Sequence, residues 1–224
     1  MRHIDRLPKP KILATKEAEW QRKYNQRLTK EPHSRPDSTK YAHSDIRDTL
    51  RAMSFKKCFY CESLLSGEAS EVDHFIEVAI DHNKAFDWNN LYLACGNCND
   101  KLNHLVVPVD VVLDPCSHSD SEIQSDISYN DEQIFAVNAS ERGLKTIKKF
   151  KLNSDVMDLK RGRWLRKLAN EIIEIHNTMF SEGRKAMNPT ERNTILHYLS
   201  PDQPYSLMCE VYLKKRCKDL FVSP

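Results

Sequence analysis

Two Cys-x2-Cys turns, Cys58/Cys61 and Cys95/Cys98, lie 33 residues apart, and they restrict this chain more than anything else in it. Each turn presents two sulfurs from one tight bend. Two such bends close a tetrahedral four-sulfur site of the kind Zn2+ prefers. A single turn of this type could equally be a redox pair or chance; two in one chain point to metal. The total of seven cysteines is odd, and Arg2, Asp5 and Arg6 leave no apolar leader at the start. Both features argue for metal-bound or free thiols rather than a disulfide framework. The expectation is therefore a cytoplasmic protein with structural Zn2+ on Cys58, Cys61, Cys95 and Cys98. No membrane association is expected, because the most apolar stretch, Leu105 to Leu113, is short and broken by Pro108 and Asp110.

Charge is unevenly placed. The formal net charge is only +2, but residues 1–57 carry 15 Lys/Arg against 7 Asp/Glu. Residues 58–140 carry 2 against 15, and residues 141–224 carry 17 against 10. An acidic centre between two basic flanks suits a metal-binding catalytic core with phosphate-gripping arms. Surface solvation accounts for any single Lys or Arg, but less readily for the block pattern.

Periodicity divides the rest. Residues 1–13, with Pro8 and Pro10, read as an extended arm, and Thr15 to Leu28 as a helix with Trp20, Tyr24 and Leu28 on one face. Glu31 to Tyr41 reads as a linker. Ser44, a candidate N-cap, opens a helix carrying Ile46, Leu50 and Met53. Leu105 to Leu113 and Gln133 to Val137 read as strands of a mainly β connector. From Ser140 the pattern turns helical: a long helix over Ser154 to Phe180 carries Leu165, Leu168, Ile172, Ile175 and Met179. Another starts at Pro189 with Asn188 as cap, and a last one covers Leu207 to Leu220. The expected units are an arm and helix (1–43), a core (44–104), a β-rich connector (105–139) and a helical region (140–224).

Between the two cysteine turns lies Val72-Asp73-His74-Phe75-Ile76-Glu77; Asn90-Leu91 precedes the second turn and Asn99-Asp100-Lys101 follows it. A purely structural ribbon needs no adjacent carboxylate and imidazole. The order Cys-x2-Cys, Asp-His, Asn-Leu, Cys-x2-Cys-Asn-x-Lys resembles the HNH endonucleases that carry a zinc-stapled ββα-metal core. The resemblance spans about 45 residues, with Asn99 where many relatives have His. It implies an α+β fold and hydrolysis of phosphodiesters. It also implies that His74, Asp73, Asn90 and Asn99 form the catalytic set. His74 suits the general base, since imidazole titrates near neutrality. Asp73 and Asn99 offer oxygen ligands to a catalytic Mg2+ or Mn2+. By the resemblance, Asn90 holds the loop that aims His74 and does not touch the metal.

Weaker candidates are His82, His104, Asp87 and Glu77, for which a structural role is preferred, with Glu77 a possible support. Lys101 is either a phosphate contact or a solvated helix position, the latter preferred. Cys116, Cys209 and Cys217 remain, the last two placed on one helix face as buried thiols.

The opening Arg2-His3-Ile4, with Pro8-Lys9-Pro10 and a short helix before the first turn, is similar to one subgroup, the nuclease subunits of Septu-type anti-phage systems. That resemblance implies an ATPase partner subunit. It also allows a place within a retron complex with a reverse transcriptase and its RNA–DNA product. Lys145, Lys148, Lys149, Lys151, Lys160, Arg161, Arg163, Arg166 and Lys167 are then candidates for nucleic-acid backbone contacts or partner docking. Two other readings stay open: a zinc-stapled nucleic-acid-binding module without chemistry, and a stand-alone restriction or homing HNH enzyme.

Overall fold

Among the described residues, 1–65 and 70–221 of a computed structural model, two antiparallel hairpins carry the regular strands and helices surround them. Strand β1 (Ser70–His74) pairs with β2 (Leu91–Cys95), matching Ser70 with Cys95 and His74 with Leu91. All five β2 residues are buried, so this strand runs through the core. A single helical turn, Gly96–Asn99, follows it directly. We number that turn α4, after α1 (Lys11–Leu28), α2 (Ser38–Tyr41) and α3 (Ser44–Met53). The result is a ββα unit inside an α+β fold.

The flanks are fused to that unit. Helix α1 sets Trp20 and Tyr24 against Phe86, with ring centroids 5.8 and 6.3 Å apart. Helix α3 buries Ile46, Leu50 and Met53, the face its spacing predicts. Beyond the unit come α5 (Asp120–Asp126), β3 (Ile127–Asn130) and β4 (Gln133–Ala136). The helices α6 (Glu141–Lys149), α7 (Asp155–Ser181), α8 (Pro189–His197) and α9 (Ser206–Arg216) complete the chain. Phe150, just past α6, stacks on Tyr60 at 4.0 Å and 15°, and Tyr60 and Phe75 both stack on Tyr92. Offset aromatic pairs of this kind add about 1 kcal/mol each beyond burial. One hydrophobic core therefore runs from α1 to α9.

Several expectations are corrected. The run Leu105 to Leu113 is not a strand but a loop with a short 3-10 turn at Val109–Val111. Pro108 cannot donate to a ladder, and Val107, Val109, Val112 and Leu113 are buried by packing instead. The 105–139 stretch is not mainly β, because α5 begins it with a capping box between Ser119 and Glu122. The 31–41 linker ends in α2, where the Asp37 carboxylate caps the Thr39 amide. Helix α1 starts at Lys11, so only residues 1–10 lack regular structure in the arm. His43, rather than Ser44, caps α3. Helix α9 stops at Arg216, which leaves Cys217 beyond the helix face that Cys209 occupies. Asn188 does cap α8, with Pro189 at its first position.

The arm is no free phosphate grip. The Arg6 guanidinium donates to the carbonyls of Trp88, Asn89 and Leu91 at 2.8–3.1 Å and lies over the Tyr92 ring at 4.3 Å. Arg2 pairs with Glu210 at 2.5 Å and with Asp120 at 3.3 Å. Among the described residues, no helix is long and apolar enough to cross a membrane.

Candidate active site

The Cys58–Cys61 turn is tied to the hairpin by its own backbone. The Phe59 amide donates to the Leu93 carbonyl at 2.9 Å, and the Cys58 amide to the Ser63 carbonyl at 2.9 Å. Cys95 ends β2 and Cys98 lies in α4. The four sulfurs are buried and lie within 4.8 Å of one another. The Cys61 thiol also reaches the Ser63 hydroxyl at 3.1 Å. Hydrogen bonds from Cys58 push the Cys61 and Cys95 thiols down, while burial pushes Cys58 up and the neighbouring sulfurs push Cys98 up. Four buried, convergent sulfurs fit a tetrahedral Zn2+. Among the described residues they form the one cluster of three or more His, Cys, Asp or Glu groups suited to a metal.

The far end of the hairpin is different. A cleft of about 750 Å³ opens there, and Asp73, His74, Asn99 and Lys101 all line it. The fold thus brings together three of the four expected catalytic residues. Asn90, the fourth, is buried behind them. Its side-chain carbonyl accepts from the Ile76 amide at 2.7 Å, and its amide donates to the carbonyls of Ile76 and Lys84 at 3.0 and 3.1 Å. Three hydrogen bonds thereby pin the 76–84 loop against the start of β2.

The His74 Nε2 lies 2.8 Å from the Ala85 carbonyl oxygen. A carbonyl only accepts, so Nε2 carries the proton and Nδ1 keeps the lone pair. Burial lowers the imidazole pKa below 6.5, outweighing the Ala85 bond and the Asp73 charge that oppose it. The Tyr41 ring packs edge-on against His74 at 4.6 Å and 61°. The result is a neutral, oriented imidazole at working pH.

The Asp73 carboxylate is buried and doubly engaged. The Tyr60 hydroxyl donates to it at 2.6 Å, and Lys101 Nζ approaches its two oxygens at 2.7 and 2.5 Å. The same ammonium donates to the His74 carbonyl at 2.5 Å and reaches the Phe75 carbonyl at 3.5 Å. Burial, reinforced by Asp73, pushes the Tyr60 phenol well up, so it stays a donor. The acceptors gathered here are all oxygens, and the Lys101 ammonium neutralises their charge. The Asn99 amide nitrogen donates to Glu71, which leaves its carbonyl as the ligand it would offer. Asp73 and Asn99 thus offer oxygens of the kind a hard cation takes, and in this structure Lys101 Nζ occupies the Asp73 oxygens.

Other candidates fall elsewhere. Lys101 is not a solvated helix position, since its side chain is only 5% exposed and paired with Asp73. Lys149 and Arg161 are removed as nucleic-acid contacts. Lys149 is fully buried and donates to Glu77, Leu102 and Val107 at 2.8–2.9 Å. Arg161 is 1% exposed and bound to Asp158 and to the Glu132 and Leu152 carbonyls. Lys148, Lys160, Arg163, Arg166 and Lys167 remain exposed. Glu77 lines the cleft and has one carboxylate oxygen held by Lys149, and His82 lines the cleft as well. Asp87 caps the turn at Trp88–Asn90, and His104 accepts from the Val109 amide at 3.5 Å. Cys116 and Cys209 are pushed up to about 12 by burial, inert as thiols.

Sequence reasoning did not see Tyr60 as a partner of Asp73, Lys149 as a buried anchor, or residues 24–41 as a wall of the cleft. Tyr60 sits between two ligand cysteines, a place where a buried phenol needs an acceptor; that signal was there to be read.

Compared with known families, residues 58–105 match the model described as HNH endonuclease. No curated protein matches the chain.

Proposed function

We propose, from the HNH endonuclease domain at residues 58–105, that this chain is a metal-dependent endonuclease hydrolysing phosphodiester bonds of nucleic acid, DNA first and RNA such as tRNA second. The observation that carries the reading is the oriented His74, which lines the cleft with Nε2 held by the Ala85 carbonyl, so that Nδ1 keeps the lone pair. In this reading His74 accepts a proton from the attacking water. Asp73 and Asn99 would hold Mg2+ or Mn2+, which when bound stabilises the charge that develops on the phosphate and leaving oxygens. Tyr60 keeps the Asp73 carboxylate oriented, Asn90 fixes the loop beneath His74, and the four cysteines with structural Zn2+ keep the hairpin in register.

We further infer a role as the effector nuclease of a cytoplasmic anti-phage complex with an ATPase subunit, within a retron assembly or apart from it. The support is the N-terminal layout, Arg2-His3-Ile4 with Pro8-Lys9-Pro10. The exposed basic row of α7, Lys160, Arg163, Arg166 and Lys167, is the surface offered to that partner or to the polymer.

The test is co-purification of the full chain with the products of its neighbouring genes, followed by incubation with plasmid, duplex DNA, single-stranded DNA and tRNA in Mg2+ or Mn2+. Cleavage that His74→Ala abolishes supports the reading. Intact substrates throughout, with retained binding, replace it by a zinc-stapled binding module.

A further inference from the structure

Part of the cleft that Asp73 and His74 line comes from outside the matched domain, from the segment between α1 and α2. Its backbone is strapped down. The Tyr24 hydroxyl donates to the Ser34 carbonyl at 3.0 Å, and Arg27 Nε donates to the Ser34 hydroxyl at 3.1 Å. A second Arg27 nitrogen donates to the Arg35 carbonyl. The Ser34 amide closes a turn onto the Glu31 carbonyl at 3.0 Å. At the other end Asp37 is used by Thr39, from its amide at 3.0 Å and its hydroxyl at 2.7 Å, and by Lys40 at 3.3 Å. The backbone at Arg35 is thus placed by its neighbours, while its side chain is exposed and lines the cleft.

The lysines at and behind the cleft are already committed. Lys101 is bound to Asp73 and Lys149 to Glu77, so each neutralises a carboxylate of the protein itself. A phosphodiester entering the cleft brings a further negative charge, and a guanidinium presents the planar fork that suits two phosphate oxygens. Arg35 is also close enough to Tyr41, which lines the same cleft, to be felt there. Its charge favours the ionised form of the Tyr41 phenol, against the burial that dominates and raises that pKa, and Tyr41 packs on His74.

From this placement we infer that Arg35 is a substrate-binding residue, gripping a backbone phosphate of the strand whose scissile bond lies at His74. The inference rests on the endonuclease reading and adds to it a cleft that the domain at 58–105 lines only in part. The contact is to phosphate, so it is indifferent to base identity.

The test uses the full chain with His74→Ala as background, so that bound strands stay intact, and fluorescent single-stranded DNA, duplex DNA and RNA as probes in Ca2+. Adding Arg35→Gln is expected to weaken binding about tenfold for the preferred probe. It should also reduce the slope of log affinity against log salt by about 1. Arg35→Lys should keep the slope and recover part of the affinity. Arg22→Gln, on the exposed side of α1 away from the cleft, should change neither. In the cleaving chain Arg35→Gln should raise KM and leave kcat within about twofold. Unchanged affinity, slope and KM in Arg35→Gln, with cleavage intact in the parent, overturns the inference and leaves the endonuclease reading standing. Absence of both binding and cleavage in the parent overturns the two together.

Discussion

At the Ser70/Cys95 end of the β1–β2 hairpin the polar donors are turned on one another, whereas at the His74/Leu91 end they are turned on a cleft. The first end is four buried sulfurs braced by backbone hydrogen bonds of the Cys58–Cys61 turn. The second holds an imidazole with one nitrogen tied and the other left over, beside a carboxylate whose partners are a phenol and a lysine. A short strand pair with all of β2 buried couples the two. The sulfur end positions the cleft end, because the chain that leaves Cys98 returns along β1 and delivers Asn99 beside Glu71 and Lys101 beside Asp73.

Breaking the sulfur end should have the largest effect. Removing zinc, or Cys58→Ser, is expected to cost on the order of 10 kcal/mol of folding free energy in this unit. Thermal unfolding with parallel metal analysis measures it, and an unchanged melting temperature in zinc-free protein would uncouple the two ends. Next comes His74→Ala, which should lower single-turnover cleavage by about 10²–10⁴-fold while the melting temperature stays near that of the parent. A comparable loss of stability would make His74 a packing residue.

Lys149→Met tests whether the cleft also depends on the helical region. It strands the Glu77 carboxylate and two loop carbonyls, and breaking a buried pair of this sort costs about 3 kcal/mol. Chemical denaturation would show it, and a neutral result would mean that the 102–107 loop is held by apolar packing and the Leu102 amide–Lys149 carbonyl bond without the ammonium. The smallest effect concerns pH. The His74 pKa is lowered in the folded state, so the unfolded chain binds its proton first as pH falls. The stability this group contributes is complete above 6.5, is lost as pH drops below 6.5 toward the folded pKa, and is gone beneath it. Activity should fall along the same limb, and a His74→Gln chain should lose that limb in its unfolding profile.

Much of the sulfur end was legible because ligand identity and spacing are local. Cys58, Cys61, Cys95 and Cys98 declare themselves in order, and the structure only closes them. Asp73, His74 and Asn99 were legible as residue types, and the fold places them on one cleft. Less of what surrounds them was, because the partners come from outside the motif residues: Ala85 for His74 from the loop between the strands, and Lys149 for Glu77 from far along the chain. Basic residues misled in the same way. Lys149 and Arg161 look like their exposed neighbours in sequence, yet each is spent on buried acceptors, and only three-dimensional packing tells the two fates apart. The apolar run at 105–113 misled through composition, since valines that favour strands here pack as a loop around Pro108. Three signals were present and unused: Tyr60 between the first two cysteines needs an acceptor, Ser119-x-x-Glu122 announces α5, and Asp37-Ser38-Thr39 announces α2.

The most direct test of the account is zinc content and cleavage rate measured on the same preparations of the parent chain and His74→Ala, in Mn2+. The account predicts about one zinc per chain in both, as a four-sulfur site requires, and cleavage in the parent alone. A His74→Ala chain that keeps its zinc and cleaves as fast as the parent would contradict it.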